Sequence, residues 1–252
     1  MDSFISWVGG KKLLRNKICD RFPKCNYDRY IEVFGGAAWV LFNKDKHAEL
    51  EVYNDINGNL VNLFKCVKYH PNAVKEELSL FLNSRELFNN FKNLHNNNAL
   101  TDIQRAAMYY YMIKASYGSR VNDFGAKPRC MSDIKSITEI KERLKSVNIE
   151  NKSYDAIIKQ YDRHTALFYC DPPYFGSEKM YKTGDITFDE SHHINLCGLL
   201  RSIKGYCIIS YNDNDYIRDL YRGFNMCEVE RQSNLTCRYG NKRYRELIIT
   251  NY

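Results

Sequence analysis

The chain has 252 residues, of which 44% are hydrophobic, and it carries a net charge of +7 at neutral pH. This length fits one large domain, or one domain with an insertion, and the hydrophobic content is sufficient for a buried core. No stretch approaches the ~20 apolar residues of a membrane span, and we expect no signal peptide. The nine cysteines lack C-x-x-C and zinc spacing, so we expect reduced thiols and no metal site.

The first 59 residues combine glycine turns with strand and helix patterns. Trp7-Val8-Gly9-Gly10-Lys11 precedes a predicted helix over 12–19 and does not satisfy the phosphate-loop motif. A predicted strand over 30–34 runs into Gly35-Gly36-Ala37-Ala38 and a predicted helix over 40–44. The next predicted strand, 51–55, ends at Asp55, close to the ~20-residue spacing from Gly36 at which an acidic strand end binds ribose hydroxyls. The pattern favours an adenosine-containing cofactor, and a capping role for Asp55 ahead of a helix over 57–68 is the alternative.

The middle of the chain changes to a basic, helical pattern. Residues 60–150 contain 14 basic and 9 acidic side chains. Apolar spacing predicts helices over 60–67, 73–82, 85–94, 103–115 and 136–146, with a capping box at Thr101–Gln104. Residues 114–129 are basic, broken by glycines and carry two aromatics, which is typical of a loop that contacts nucleic acid. Ordinary solvated lysine and arginine side chains are the alternative.

Asp171-Pro172-Pro173-Tyr174 follows a short apolar strand predicted over 166–170. Proline cannot donate to a sheet ladder and keeps the preceding residue extended. The Asp171 carboxylate and the Pro172 carbonyl are therefore presented at the carboxyl edge of a strand, where open α/β sheets bind ligands. Two acceptors beside the aromatic Tyr174 suit a planar amine such as that of a nucleobase. The alternative is a proline turn in which Asp171 caps a helix.

The remaining pattern continues the strand–helix alternation and ends in a hairpin. It predicts a helix opening near Asp189, a strand over 206–211 and a helix over 215–221. Strands over 226–232 and 245–251 flank a basic turn that contains Arg238 and Lys242. The fold class is therefore α/β, with a mostly parallel sheet and an antiparallel C-terminal hairpin.

Taken in order, these motifs resemble the Dam-type (alpha-group) DNA adenine-N6 methyltransferases over nearly the whole chain. The resemblance rests on residues 7–11, 32–37, 54–57, 171–174 and 246–252. Val33 replaces the family's usual proline, and Ala38 replaces the second glycine of F-x-G-x-G. The resemblance implies a Rossmann-like class I methyltransferase domain over 1–59 and 148–252, with a helical target-recognition insert over 60–147.

The resemblance also implies site-specific methyl transfer from S-adenosylmethionine to N6 of a flipped-out adenine in double-stranded DNA. The implied catalytic residues are Asp171, Pro172, Pro173 and Tyr174. The implied cofactor-binding residues are Trp7, Gly9, Gly10, Lys11, Phe34, Gly35, Gly36, Ala37, Ala38, Asp55, Ile56 and Asp171. The implied DNA-binding residues are Lys114, Tyr117, Ser119, Arg120, Asn122, Arg238 and Lys242. The departure at Ala38 is expected to tighten the methionine side of the cofactor pocket.

By the same resemblance we expect a monomer in the cytoplasm of a bacterial or phage-infected cell. The resemblance is also compatible with a cognate restriction endonuclease as a partner. An N4-cytosine or RNA adenine methyltransferase is an alternative, as is a non-catalytic DNA-binding protein with a degenerate methyltransferase fold. The absence of G-x-G-x-x-G disfavours a nucleotide-dependent oxidoreductase. The target DNA sequence does not follow from these residues.

Overall fold

The computed structural model describes residues 1–94, 99–126, 134, 136–176, 188–232 and 243–252. Contacts between residues divide the chain into two compact units. The first unit comprises Met1–Lys12, Gly36–Lys46 and Asn57–Asn151, and the second comprises Leu13–Gly35, His47–Ile56 and Lys152–Tyr252. The predicted division into a catalytic domain and a target-recognition insert concerns function and stays a prediction. Within the described ranges, no helix has the length and apolar content needed to cross a membrane.

The described residues form the following strands and helices. The strands are β1 (Arg29–Glu32), β2 (Leu50–Asn54), β3 (Val147–Glu150), β4 (Ala166–Cys170), β5 (Tyr206–Asn212), β6 (Asn225–Gln232) and β7 (Arg243–Thr250). The helices are α1 (Arg15–Cys19), α2 (Gly58–Tyr69), α3 (Pro71–Ser79), α4 (Arg85–Leu94), α5 (Asp102–Ala115), α6 (Ile137–Leu144), α7 (Tyr154–Tyr161), α8 (Glu190–Ser202) and α9 (Asp215–Leu220). Short 3₁₀ turns occupy Leu41–Asn43 and Tyr117–Ser119.

The second unit is built on a mostly parallel sheet. Six strands lie in the order β2-β1-β4-β5-β7-β6. The pairs β1–β2, β1–β4 and β4–β5 are parallel, whereas β7 runs antiparallel to both β5 and β6. The predicted α/β sheet with an antiparallel C-terminal hairpin is confirmed. Because β1, β2, β4 and β5 are parallel, their carboxyl ends meet at the same edge, where ligands bind in folds of this kind.

The core of the second unit surrounds β4, whose five residues are all buried. A strand covered on both faces requires a continuous apolar run, and Ala166–Cys170 supplies one. Ile157 of α7, Leu196 of α8 and Ile217 of α9 join Phe168 in one hydrophobic cluster. Each such side chain contributes about 1.5–3 kcal/mol when it is fully buried, so this cluster fixes the strand ends that precede the site.

The first unit is a helical assembly around α5. This helix packs against α2, α3 and α4. Its start is fixed by the predicted capping box, because the Thr101 side chain accepts from the Gln104 backbone N–H and the Gln104 side chain accepts from Thr101 N. In its interior the Tyr111 hydroxyl donates to the Leu82 carbonyl at 2.9 Å. The end of α5 leads directly into the segment predicted to contact nucleic acid.

Several predicted helices are shorter than expected, among them those over 40–44 and 12–19. The helix expected over 40–44 is the 3₁₀ turn Leu41–Asn43, which follows Ala38 at φ +56°. The turn ends after three residues because Lys44 is already extended, with φ −128° and ψ 158°. The helix expected over 12–19 is α1, which begins at Arg15. Lys12 instead lies in a turn, where its ammonium pairs with Asp2 at 2.7 Å.

Candidate functional site

Asp171 lies directly after β4, and its carboxylate is held from β5. Ser210 Oγ donates to Asp171 Oδ1 at 2.9 Å. No helix begins between Asp171 and residue 176, where this described segment ends. The downstream helix α8 is capped by Asp189, whose side chain accepts from the His192 backbone N–H. Asp171 therefore does not cap a helix within the described residues.

Tyr174 is anchored to the hairpin by a buried carboxylate. Its hydroxyl donates to Glu246 Oε2 at 2.6 Å, and Glu246 is only 1% exposed. Burial raises the pKa of the Tyr174 phenol well above its usual value, and the charges of Asp171 and Glu246 raise it further. The phenol therefore stays protonated and keeps donating, which fixes the ring direction close to Asp171.

The ends of β1 and β2 are joined by backbone and amide hydrogen bonds. Gly35 N–H donates to the Asn54 carbonyl at 2.7 Å, and the Asn54 side chain donates to the Val33 carbonyl at 2.9 Å. A Cβ on Gly35 would lie 2.2 Å from a ring carbon of the fully buried Tyr53. Glycine is therefore required here because the turn passes directly against an aromatic ring.

The implied adenosine-binding residues of the second unit lie around this edge. Asp55 directly follows β2 and is partly exposed, and Ile56 is 41% exposed. The side chain that caps the following helix α2 is Asn57, which accepts from the N–H groups of residues 59 and 60. The alternative capping role for Asp55 is therefore wrong. Phe34 stacks on Tyr154, with ring centroids 5.9 Å apart and planes 23° apart.

The first unit contains two glycine turns, each packed against a tryptophan. Gly36 adopts φ +48°, and a Cβ there would lie 3.1 Å from the ring of Trp7. A Cβ on Gly10 would lie 2.8 Å from Nε1 of Trp39. Lys11 is 3% exposed, and its ammonium donates to the Gly9 carbonyl at 2.9 Å. The structure thus brings the implied residues Trp7, Gly9, Lys11 and Gly36 into two tightly packed turns of one unit.

Ala38 has a strained backbone. It is fully buried and adopts φ +56°, in the left-handed region that glycine occupies without steric cost. An L-residue in this region carries roughly 1–2 kcal/mol of strain. Ala38, which replaces the second glycine of F-x-G-x-G, therefore has a backbone conformation that favours glycine. Ala37 beside it is also buried.

A compact loop follows α5 and displays several of the implied DNA-binding residues. Tyr117 N–H donates to the Asp123 carbonyl at 2.8 Å, and Gly125 N–H donates to the Ala115 carbonyl at 2.7 Å, so the loop closes on itself. Tyr117 at 63% exposure, Arg120 and Asn122 all face solvent. The loop is fastened by Lys92, whose ammonium donates to the Asn122 carbonyl at 2.9 Å.

The tip of this loop contains unusual backbone conformations. Ser119 has φ +58° and Val121 has φ +63°. A positive φ at a β-branched residue is a clear outlier, and Val121 is held there because its N–H donates to Ser116 Oγ at 3.1 Å. Strain of this kind persists only where surrounding contacts enforce it, and it is frequent at functional loops.

Lys114 and Ser119 share a cavity of about 500 Å³ in the first unit. The N-terminal segment 1–6 lines the cavity together with residues from α5 and α6. The Lys114 ammonium lies 5.6 Å from the ring centre of Tyr110. These two implied residues are therefore half-buried beside a concave surface, whereas Tyr117, Arg120 and Asn122 project from the loop. Arg238 and Lys242 lie outside the described residues.

Several residues of the site were not predicted. Ser210, Tyr169 and Glu246 contact the Asp171–Tyr174 segment or each other across neighbouring strands. The available signal was a polar residue inside an otherwise apolar strand, as in Cys207-Ile208-Ile209-Ser210 and Glu246-Leu247-Ile248-Ile249. Such a residue is expected to have a buried hydrogen-bond partner, but the identity of that partner depends on strand order.

The fold and the site together define a class of protein. A parallel sheet ending in an antiparallel hairpin, with a glycine turn after β1 and Asp-Pro-Pro-Tyr after β4, is the arrangement of a class I methyltransferase that acts on an amino group. A nucleotide-dependent oxidoreductase does not account for this combination.

Comparison with known proteins gives the family. Residues 7–235 match the D12 class N6 adenine-specific DNA methyltransferase family. The chain is 28% identical to the type II methyltransferase M.MjaIII of Methanocaldococcus jannaschii, over 99% of this chain and 98% of that protein. It is 26% identical to the retron Ec67 DNA adenine methylase of Escherichia coli, over 89% and 82% of the two chains. It is 24% identical to the DNA adenine methylase of Escherichia coli K12, over 99% and 95%.

The chain belongs to the D12 class N6 adenine-specific DNA methyltransferase family. This confirms the predicted resemblance, the enzyme class and adenine in DNA as the methyl acceptor. Because the family is specific for adenine in DNA, it does not support the alternatives of an N4-cytosine or an RNA adenine methyltransferase.

Proposed function

We propose that Asp171 and the Pro172 carbonyl accept the two hydrogens of an adenine N6 amine and that Tyr174 stacks on the same base. The observation that carries the proposal is the anchoring of this segment by Ser210 and Glu246. The N6 lone pair is delocalised into the ring, so two acceptors on the amine favour a pyramidal, nucleophilic nitrogen. This is catalysis by positioning and electrostatic stabilisation.

The target adenine must leave the duplex to reach a strand edge. We propose that Pro173 keeps the segment extended between the two acceptors and the aromatic ring, because proline restricts both its own φ and the preceding residue. The half-buried Tyr174 then offers its ring face to the flipped base while Glu246 holds its hydroxyl.

We propose that S-adenosylmethionine is the methyl donor, and the residues present fit it. When bound, it supplies a methyl group already activated by a sulfonium. In the second unit, Asp55 would bind the ribose hydroxyls, Ile56 and Phe34 would contact the adenosine, and Gly35 would allow close approach. The first unit supplies the remaining implied cofactor-binding residues, which would contact the methionine part of the cofactor. They are Trp7, Gly9, Gly10, Lys11, Gly36, Ala37 and Ala38. The carboxylate at the end of β2 and the glycine turns are features that support the assignment.

Calorimetric titration with S-adenosylmethionine tests the cofactor assignment. Asp55→Ala is expected to weaken binding at least tenfold, because a charged hydrogen-bond acceptor is worth about 1.5–3 kcal/mol. The matched control is Asp219→Ala, which removes an exposed carboxylate that pairs with Arg222 in its own turn. Equal affinities for wild type and Asp55→Ala would refute the assignment.

We propose that the loop 117–122, together with Lys114, contacts double-stranded DNA. Arg120 supplies several N–H donors and Tyr117 supplies an aromatic ring. Both lie on an exposed loop that is closed by backbone hydrogen bonds. Arg238 and Lys242 are proposed for phosphate contacts on the basis of charge alone. These assignments fit the usual division between base readout and backbone positioning.

We further propose a cytoplasmic monomer. The name of the Methanocaldococcus relative, a type II methyltransferase, supports a role alongside a cognate restriction endonuclease. Expression in a host lacking adenine methylation, followed by challenge of its DNA with endonucleases blocked by N6-methyladenine, tests whether the chain protects sites from cleavage; unprotected target sites would contradict this role.

A further inference from the structure

Two hydrogen bonds join Tyr169, Ser210 and Asp171 in a row beside the proposed catalytic segment. Ser210 is 1% exposed and lies on β5, which pairs in parallel with β4. The strand register places Cys170 opposite Ile209, so Asp171 falls next to Ser210. Ser210 Oγ is 2.9 Å from Asp171 Oδ1 and 3.1 Å from the hydroxyl of Tyr169.

The direction of these hydrogen bonds follows from the number of protons. An ionised carboxylate only accepts, so Ser210 must use its single hydroxyl proton on Asp171. Tyr169 must therefore donate to Ser210. Burial raises the pKa of the Tyr169 phenol well above its usual value, and the Asp171 charge raises it further. Tyr169 thus remains a donor, and the chain runs in one direction, from Tyr169 through Ser210 to Asp171.

We propose that Ser210 is a positioning residue for methyl transfer, which fixes the orientation of the Asp171 carboxylate, and that Tyr169 locks Ser210 in the donating rotamer. The inference rests on the proposed role of Asp171 as an acceptor for the adenine amine. A carboxylate at a strand end rotates about its last single bond unless one oxygen is held. Ser210 holds Oδ1 and thereby sets the plane in which the carboxylate meets the amine.

The competing explanation is that Ser210 and Tyr169 only satisfy each other's buried polar atoms. Both explanations predict lower stability when either hydroxyl is removed. They differ in turnover, because a structural pair has no reason to lower kcat in protein that remains folded and binds cofactor.

The test compares Ser210→Ala, Tyr169→Phe and the double variant, with kcat measured from labelled methyl incorporation into DNA. We expect Ser210→Ala to lower kcat about tenfold to a hundredfold, the range for a hydrogen bond to a charged group. The dissociation constant for S-adenosylmethionine should change less than about twofold. Tyr169→Phe should lower kcat by a smaller factor, and the double variant should match Ser210→Ala, because Tyr169 acts through Ser210.

Thr165→Val is the matched control, because it removes a hydroxyl that donates to Asp28 at the opposite end of β4. It should leave kcat at the wild-type value. A kcat for Ser210→Ala within twofold of wild type would overturn the proposal. Additive losses in the double variant would overturn the role of Tyr169. If Ser210→Ala does not fold, Tyr169→Phe alone decides, since a wild-type kcat in that variant contradicts the locking role.

A spectroscopic readout separates this inference from the proposed catalytic role of Asp171. In protein labelled with ¹³C at aspartate carboxyl groups, Asp171→Asn identifies the Asp171 resonance. Ser210→Ala should shift that resonance and Thr165→Val should not. A shift combined with wild-type turnover in Asp171→Asn would refute the role of Asp171 while retaining the hydrogen bond. An unshifted resonance would refute the inference itself.

Discussion

The glycine turn after β1 is expected to tolerate no side chain, and Gly35→Ala tests this. The added Cβ would lie 2.2, 2.7 and 2.7 Å from three ring carbons of Tyr53, whereas non-bonded carbons meet at about 3.5–4.0 Å. Tyr53 is fully buried in β2, so the ring or the turn must move by about 1 Å. Overpacking of this kind costs about 1–3 kcal/mol. For a chain of this size, ~2 kcal/mol corresponds to a decrease in Tm of about 4–8 °C.

The matched control is Gly198→Ala within α8. A Cβ at Gly198 would have no neighbour within 4 Å, so the substitution should stabilise the helix by about 0.5–1 kcal/mol. Thermal unfolding and titration with S-adenosylmethionine are measured on both variants. We expect Gly35→Ala to lose stability and to bind the cofactor more weakly, and Gly198→Ala to bind it normally. A Gly35→Ala variant with wild-type Tm and cofactor affinity would refute the steric reasoning.

Three further predictions concern hydrogen bonds, DNA contacts and pH. Tyr174→Phe should lower the free energy of unfolding by about 1.5–3 kcal/mol in denaturant titrations, because it removes a donor from the buried Glu246; a change below about 0.5 kcal/mol would contradict the anchoring role. Arg120→Ala should relax sequence preference in methylation sequencing if Arg120 contacts a base, and a uniform loss across all sites would instead indicate a phosphate contact. Arg218 holds the pKa of Asp213 below its usual value, so this stabilisation is present above the unfolded-state pKa and is lost as the pH falls. Asp213→Asn should therefore cost about 1 kcal/mol at pH 7 and nothing near pH 2; a cost independent of pH would exclude the ion pair.

The sequence predicted local features well where a single physical rule controls them. The apolar run Ala166–Cys170 is β4 with the predicted bounds, since a strand covered on both faces must be apolar throughout and the following prolines end it. The helix over 85–94 is α4, and the Thr101 capping box is present. The strand predicted over 51–55 is β2, and Asp55 directly follows it.

Features that depend on pairing between distant residues were not predictable. Asp171 is held by Ser210, 39 residues away, and Tyr174 by Glu246, 72 residues away. Both pairings follow from the order β4-β5-β7, which periodicity does not give. The helix expected over 40–44 is the 3₁₀ turn Leu41–Asn43, because Lys44 is already extended, and apolar spacing does not reveal where a helix stops.

We expect this chain to methylate N6 of adenine in DNA through Asp171. The most direct measurement is nucleoside mass spectrometry of unmethylated duplex DNA after incubation with purified protein and S-adenosylmethionine, in parallel with Asp171→Ala. Wild-type protein should produce N6-methyladenine, and Asp171→Ala should produce none above background while still binding the cofactor. N6-methyladenine at wild-type levels with Asp171→Ala would refute the role of Asp171, and its absence with folded, cofactor-bound wild-type protein would refute the activity.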